Sequence, residues 1–253
     1  MDIQAELISI GNELLSGRTL NTHGQDLGAA LSTIGLQLAR DTTIPDDTAT
    51  IGFAVQEAFE RVGLVFVSGG LGPTIDDITR DALAGLLNRD IVLDQPTVEH
   101  LKAWYEKRGR TITIAATRQA QVLEGAVVLP NPVGAAPGQR LDLDGGKTLF
   151  VLPGPPNEFN AILEESIIPW IKKKYTTARP NVVRVVRTQG IGESDIVTIL
   201  EEARFAPKHV DLGFYPGMGK VEIRLTARPD HGIQVGEAEQ TLIKLLADYL
   251  DRK

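Results

Sequence analysis

Not one of the 253 residues is a cysteine, which excludes a disulfide framework, a thiolate nucleophile and a Cys-ligated metal. A reducing cytosol is the default compartment for such a chain. No apolar run approaches the roughly 18 residues that a membrane span requires. The opening Met1-Asp2-Ile3-Gln4-Ala5-Glu6 carries two acids and lacks the basic segment of a secretory leader. Positive charge is also short: the formal net charge of -7 disfavours nonspecific DNA and anionic membranes. His23, His100, His209 and His231 show no metal-ligand spacing; His23 alone sits near the candidate ligand loops, a helix-surface residue being the plainer reading. Neither Ser9 nor Ser68 sits in a nucleophile-elbow pattern, which leaves a serine hydrolase unsupported. A soluble, cytoplasmic protein without a membrane role is expected. Hydrophobic residues make up 42%, enough for a substantial core in one large or two smaller domains.

What is present has the grammar of alternating strands and helices. Residues 5–10, 36–44 and 64–67 read as strands. The spacings of Leu20, Gly24, Leu27, Ala30, Leu31 and Ile34, and of Ile51, Ala54, Val55, Ala58, Phe59 and Val62, predict the helices between them. Helical spacing returns at 78–87, and residues 96–108 and 113–123 read as two further helices. Residues 126–129 are a strand, and Asp144-Gly145-Gly146 joins 139–143 to 147–152 as a hairpin. A helix over 159–175 is expected to bend near Pro169. This order implies βαβ units and an α/β domain with a mostly parallel sheet. Composition shifts at Lys172-Lys173-Lys174 and Arg179-Pro180-Asn181, giving an α/β domain over 1–175 and a small α+β domain of βαββα order over 176–253. The basic run Lys172, Lys173, Lys174, Arg179, Arg184 and Arg187 reads as solvated surface, and nucleic acid is an unlikely partner.

The chemistry concentrates in four loops that follow the strands ending at Ile10, Val67, Leu129 and Leu152. If the sheet is parallel, they emerge at one edge, where open α/β folds bind ligands. In the second loop Gly69, Gly70 and Gly72 permit close approach of phosphate to backbone N–H groups, Thr74 offers a hydroxyl, and Asp76 and Asp77 are hard oxygen ligands. The same Thr74, Asp76 and Asp77 would serve equally to cap the following helix. In the first loop Glu13 is a candidate cation ligand or general base beside Asn12, against the plainer reading of a solvated acid; Asn21 and Thr22 are contacts or caps. Asn131, Gly134 and Gly138 lie in a Pro- and Gly-rich loop suited to shape and backbone hydrogen bonding. Gly154 and Glu158 complete the set, with Glu158 also reading as a first-turn helix acid. Glu13, Asp76 and Asp77 are therefore the candidate catalytic and metal-holding residues.

Gly11-Asn12-Glu13-Leu14-Leu15-Ser16-Gly17 with Asn21-Thr22, Ser68 through Thr79, Asn131-Pro132-Val133-Gly134 through Gly138, and Leu152-Pro153-Gly154 together resemble the competence/damage-inducible protein A family, in order and over the whole chain. The resemblance implies a three-layer α/β fold of molybdopterin-binding type followed by a small α+β domain. It implies a divalent-metal-dependent pyrophosphatase that cleaves ADP-ribose to AMP and ribose 5-phosphate, using Mg, Mn, Co or Ni, in a homodimer. Longer members append a nicotinamide-nucleotide deamidase domain, which a chain ending at Lys253 is expected to lack. The alternative is a pterin or adenylylated-pterin binding or transfer protein without hydrolysis. His23 departs from the family pattern, which has a third polar amide after Asn21-Thr22.

Overall fold

A computed structural model describes residues 3–251. The Met1-Asp2 opening, on which the leader reading partly rests, lies outside them. The chain divides into two compact units, Met1–Ala178 and Arg179–Lys253, three residues beyond the expected boundary. Among the described residues no helix is long and apolar enough to cross a membrane.

In the first unit the elements run β1 Gln4–Ile10, α1 Asn12–Leu15, α2 His23–Ser32, β2 Gln37–Ile44, α3 Thr48–Arg61, β3 Leu64–Ser68, α4 Thr79–Leu87, β4 Ile91–Leu93, α5 Gln95–Glu106 and α6 Ile114–Thr117. They continue with β5 Gln121–Leu123, β6 Val127–Leu129, β7 Gly138–Asp142, β8 Thr148–Leu152, α7 Pro156–Ile162 and α8 Ile168–Lys174. Six strands form one sheet in the order β2-β1-β3-β8-β7-β6. β2, β1, β3 and β8 pair in parallel, and only β7 runs against the rest, so β6 again points the same way as β8.

Two cores explain the three layers. Along β3, Val65 and Val67 face α3 and α4, packing with Ile51, Val55, Ala58, Ala82 and Leu83. Leu64 and Phe66 face the other way, onto Leu27 and Leu31 of α2 and Phe159, Ile162 and Ile171 of the α7–α8 region. Every residue of β3 is buried, as a central strand covered by helices on both faces must be. The fold is thus the α/β class expected, with a mostly parallel central sheet.

Several elements differ from expectation. Residues 113–123 are not one helix: the Thr113 hydroxyl accepts from the Ala116 N–H and opens a single turn. The chain then extends into β5, where the Leu123 N–H donates to Gln139 Oε1 at 2.8 Å and the strand pairs antiparallel with β4. Backbone groups committed to those neighbours cannot close a helix. α2 begins at His23 and not at Leu20, which is 81% exposed. The bend near Pro169 is a wide turn over Leu163–Ile167 that separates α7 from α8, consistent with the missing proline N–H.

The second unit comprises β9 Val182–Gln189, α9 Glu193–Glu202, β10 Asp211–Gly217, β11 Lys220–Ala227 and α10 Gly232–Leu245. Its three strands are antiparallel in the order β10-β11-β9. Ile196 and Leu200 of α9 and Val235 and Leu242 of α10 pack on Val186, Ile223 and Leu225. α10 starts five residues before the expected Glu237, the intervening Gly232 and Gly236 having masked its helical character.

Candidate functional site

Because β1, β3, β8 and β6 run the same way, the loops that follow them meet at one edge of the sheet, around a crevice of about 430 Å³. A fifth loop, after β2, contributes Asp46, which the sequence reading did not single out.

The β3–α4 loop is built by its glycines. Gly69 has φ 106° and Gly70 φ 66°, where an L side chain is strained. A Cβ on Gly69 would lie 2.2 Å from the Ile10 carbonyl oxygen, and one on Gly70 2.2 Å from Thr79 Oγ1. Asp77 closes the loop from inside: Oδ1 accepts the Gly72 N–H at 2.7 Å, while Oδ2 accepts the Thr74 N–H at 2.8 Å and the Thr74 hydroxyl. Both oxygens of the expected metal ligand therefore hold the loop together. The Gly69 N–H is also spent, on the Leu152 carbonyl at 3.0 Å. Among the described residues the Gly70 and Leu71 amides are left without a protein partner.

Behind the loop lies Arg80, 1% exposed, whose Nη1 and Nη2 donate to the Leu71 and Gly72 carbonyls at 2.9 Å each. Burial lowers its pKa to about 10, with Asp77 opposing the shift, so it stays charged at neutral pH. By drawing those two carbonyls inward it fixes the loop's orientation. An arginine inside a predicted helix gave no signal of this in the sequence.

Of the candidates, Glu13, Asn21, Gly69, Gly70, Gly72, Asp76, Asp77, Gly154 and Glu158 line the crevice. The remaining candidates, Asn12, Thr22, Thr74, Asn131, Gly134 and Gly138, are not among its lining residues. The Asn12 N–H donates to Asp46 Oδ2 at 2.8 Å, and Thr22 precedes α2 without capping it. Asn131 Nδ2 donates to Glu158 Oε2 at 2.6 Å and to the Ala136 carbonyl at 2.7 Å, while its Oδ1 accepts the Gly134 N–H at 2.9 Å. Gly134 is needed for room, since a Cβ there would fall 2.1 Å from the Glu158 carboxyl carbon. Gly138 packs against Ile162 and Leu152 and belongs to the core. Glu158 is pushed above the ordinary carboxylate range by burial, the Asn131 hydrogen bond partly opposing.

The histidine expected on a helix surface is instead buried. His23 is 5% exposed, stacks on Phe159 at 4.4 Å and places Nδ1 3.2 Å from Ser68 Oγ at the crevice floor. Burial lowers its pKa, with Asp26 and the Gly154 carbonyl opposing.

Five carboxylates, those of Glu13, Asp46, Asp76, Asp77 and Glu158, line the crevice, and among the described residues no lysine or arginine does. Nor is any group of three or more His, Asp or Glu side chains gathered closely enough there to hold a metal by itself; the expected set of Asp77 with Asp76 or Glu13 is not a preformed cage. Exposed carboxylates without a cage do fit a hard cation that takes one or two protein oxygens and completes its shell with water and substrate phosphates.

A crevice at the carboxyl edge of a mostly parallel, helix-covered sheet defines an α/β ligand-binding protein of the molybdopterin-binding fold class. The family model described as "Probable molybdopterin binding domain" matches residues 6–173, and "Damage-inducible protein CinA KH domain" matches residues 183–253. The crystal structure of the protein CinA, with unknown function, from Thermoplasma acidophilum is 35% identical, covers 68% of this chain and 98% of its own, and superposes with a TM-score of 0.59. The chain belongs to the CinA family. A CinA-like protein of Kosmotoga olearia is 38% identical over 90% of this chain, and one of Akkermansia muciniphila 36% over 95%. The chain spans 55% and 58% of the lengths of these two relatives.

Proposed function

We propose that the crevice hydrolyses the pyrophosphate bond of a nucleotide such as ADP-ribose, giving AMP and ribose 5-phosphate, with a divalent cation. The observation that carries this reading is the charge of the wall: amides free at Gly70 and Leu71 sit among five carboxylates, and among the described residues no lysine or arginine joins the lining. A diphosphate entering alone would be repelled, whereas one bearing magnesium or manganese neutralises the wall. Asp76 and Glu13 are the residues to hold that cation, because Asp77 is already engaged. When bound, it supplies charge neutralisation at the phosphates.

The protein's own groups perform the rest. The Gly70 and Leu71 N–H groups hold phosphate oxygens, and Arg80 keeps the turn in shape from behind. Glu158, fixed through Oε2 by Asn131, has Oε1 to take a proton from water. The water oxygen forms the new bond to phosphorus, the bridging P–O bond breaks, and both products leave as phosphate monoesters.

Incubation with ADP-ribose and each of magnesium, manganese, cobalt and nickel tests this, with AMP as the readout; no AMP with any metal overturns it. The match to a molybdopterin-binding family model favours a second reading, in which the crevice holds a pterin or its adenylylated form without cleaving it. In that case a pterin phosphate binds while ADP-ribose survives incubation.

A further inference from the structure

His23 Nε2 is buried and has no hydrogen-bond partner among the described residues. Its protonation follows from the other end of the ring. The Pro153 carbonyl can only accept, so the Ser68 hydroxyl donates to it at 3.1 Å. The Ser68 oxygen, 3.2 Å from Nδ1, is then left to accept from Nδ1–H. Burial favours the neutral ring, outweighing the Asp26 charge and the Gly154 carbonyl that oppose it, and with the proton on Nδ1 the lone pair is on Nε2. A buried acceptor without a donor costs on the order of 1–3 kcal/mol, and this one belongs to a residue lining the crevice.

Its chemistry selects what satisfies it. A phosphate oxygen is itself an acceptor and is repelled by the lone pair, so the partner must carry O–H or N–H. Ser68, which holds the ring, is followed directly by Gly69 and Gly70 of the phosphate turn. The ring therefore lies beside the phosphate position. In a nucleotide the group next to phosphate is the sugar, and the base is one ring further away. We propose that His23 Nε2 accepts a hydrogen bond from a sugar hydroxyl of the bound nucleotide, which makes His23 a specificity-determining residue. This rests on the nucleotide reading of the crevice but not on hydrolysis. The stack on Phe159, with rings 18° from parallel, keeps the imidazole in place for that contact.

The test uses the α,β-methylene analogue of ADP-ribose with magnesium, which binds without being cleaved, and the ¹⁵N resonances of the four histidines. His23 is assigned by its loss in His23→Phe. The expected free state is the neutral tautomer protonated on Nδ1, and the analogue should move Nε2 in the direction of hydrogen-bond acceptance. His23→Phe, which keeps a ring against Phe159, should weaken binding about fivefold. Ser68→Ala, which retains the histidine but releases its tautomer, should weaken binding as well. A free state protonated on Nε2, an unmoved Nε2 resonance, or unchanged affinity in a folded His23→Phe protein overturns the inference. If the analogue binds and shifts Nε2 while ADP-ribose is not cleaved with any cation, the hydrolase reading fails and this one stands. If the analogue does not bind, both fall.

Discussion

Asn131 Nδ2 reaches Glu158 Oε2 at 2.6 Å and so ties the loop after β6 to the first turn of α7, the two residues being 27 positions apart in the chain. The donor favours the charged carboxylate that burial disfavours. Its removal in Asn131→Ala should raise the Glu158 pKa further. The acid limb of the kcat/KM profile for ADP-ribose cleavage is then expected at higher pH than in the wild type.

Glu158 also has a stability consequence. Its folded pKa lies above 4.5, so its contribution to stability is fully present below that value and is lost as pH rises through the folded pKa. Glu158→Gln should therefore melt above the wild type at pH 7, the difference shrinking toward zero as pH falls below 4.5. The same variant should lose about 100-fold in kcat if Glu158 is the proton acceptor.

Arg80→Met removes two donors from buried carbonyls and is expected to cost roughly 2–4 kcal/mol in urea unfolding. Because it orients the Leu71–Gly72 turn, the folded variant should also bind nucleotide more weakly. Equal affinity in a destabilised variant would restrict Arg80 to a packing role.

Gly69→Ala sets a methyl against the Ile10 backbone carbonyl at 2.2 Å in a positive-φ conformation. A loss of about 2 kcal/mol or more is expected. Gly52→Ala, within α3 and with nothing within 4 Å of the added carbon, should instead gain up to about 1 kcal/mol. The contrast is read by chemical denaturation of the two variants side by side.

Chelation should abolish cleavage of ADP-ribose, and magnesium or manganese should restore it, since among the described residues no lysine or arginine lines the crevice with the five carboxylates. Glu13→Gln and Asp76→Asn should each raise the metal concentration needed for half-maximal rate.

The alternation of β and α segments, the hairpin at Asp144-Gly145-Gly146 and the meeting of four loops were legible because apolar period and glycine punctuation report them directly. The fate of Asp77 was not. An Asp near the start of a helix has the same local sequence whether it caps backbone N–H groups or binds a cation, and only the closure of the loop on Gly72 and Thr74 distinguishes them. His23 was misread by its polarity and not by its position: three residues after Leu20 and four before Leu27, it shares their helical face, and the buried positions of α2 are His23, Leu27 and Leu31. β4 and β5, three residues each, are too short to show a period of two, and they lack the Pro- and Gly-rich loop that marks the end of the equally short β6.

β7 runs opposite to its neighbours, so its turn to β8 at Asp144–Gly146 opens on the edge of the sheet away from the crevice. Those three residues are exposed, and Gly145 and Gly146 supply the positive φ the turn requires. That turn is a natural entry point for an inserted tag or reporter, where added length leaves the rim of the crevice undisturbed.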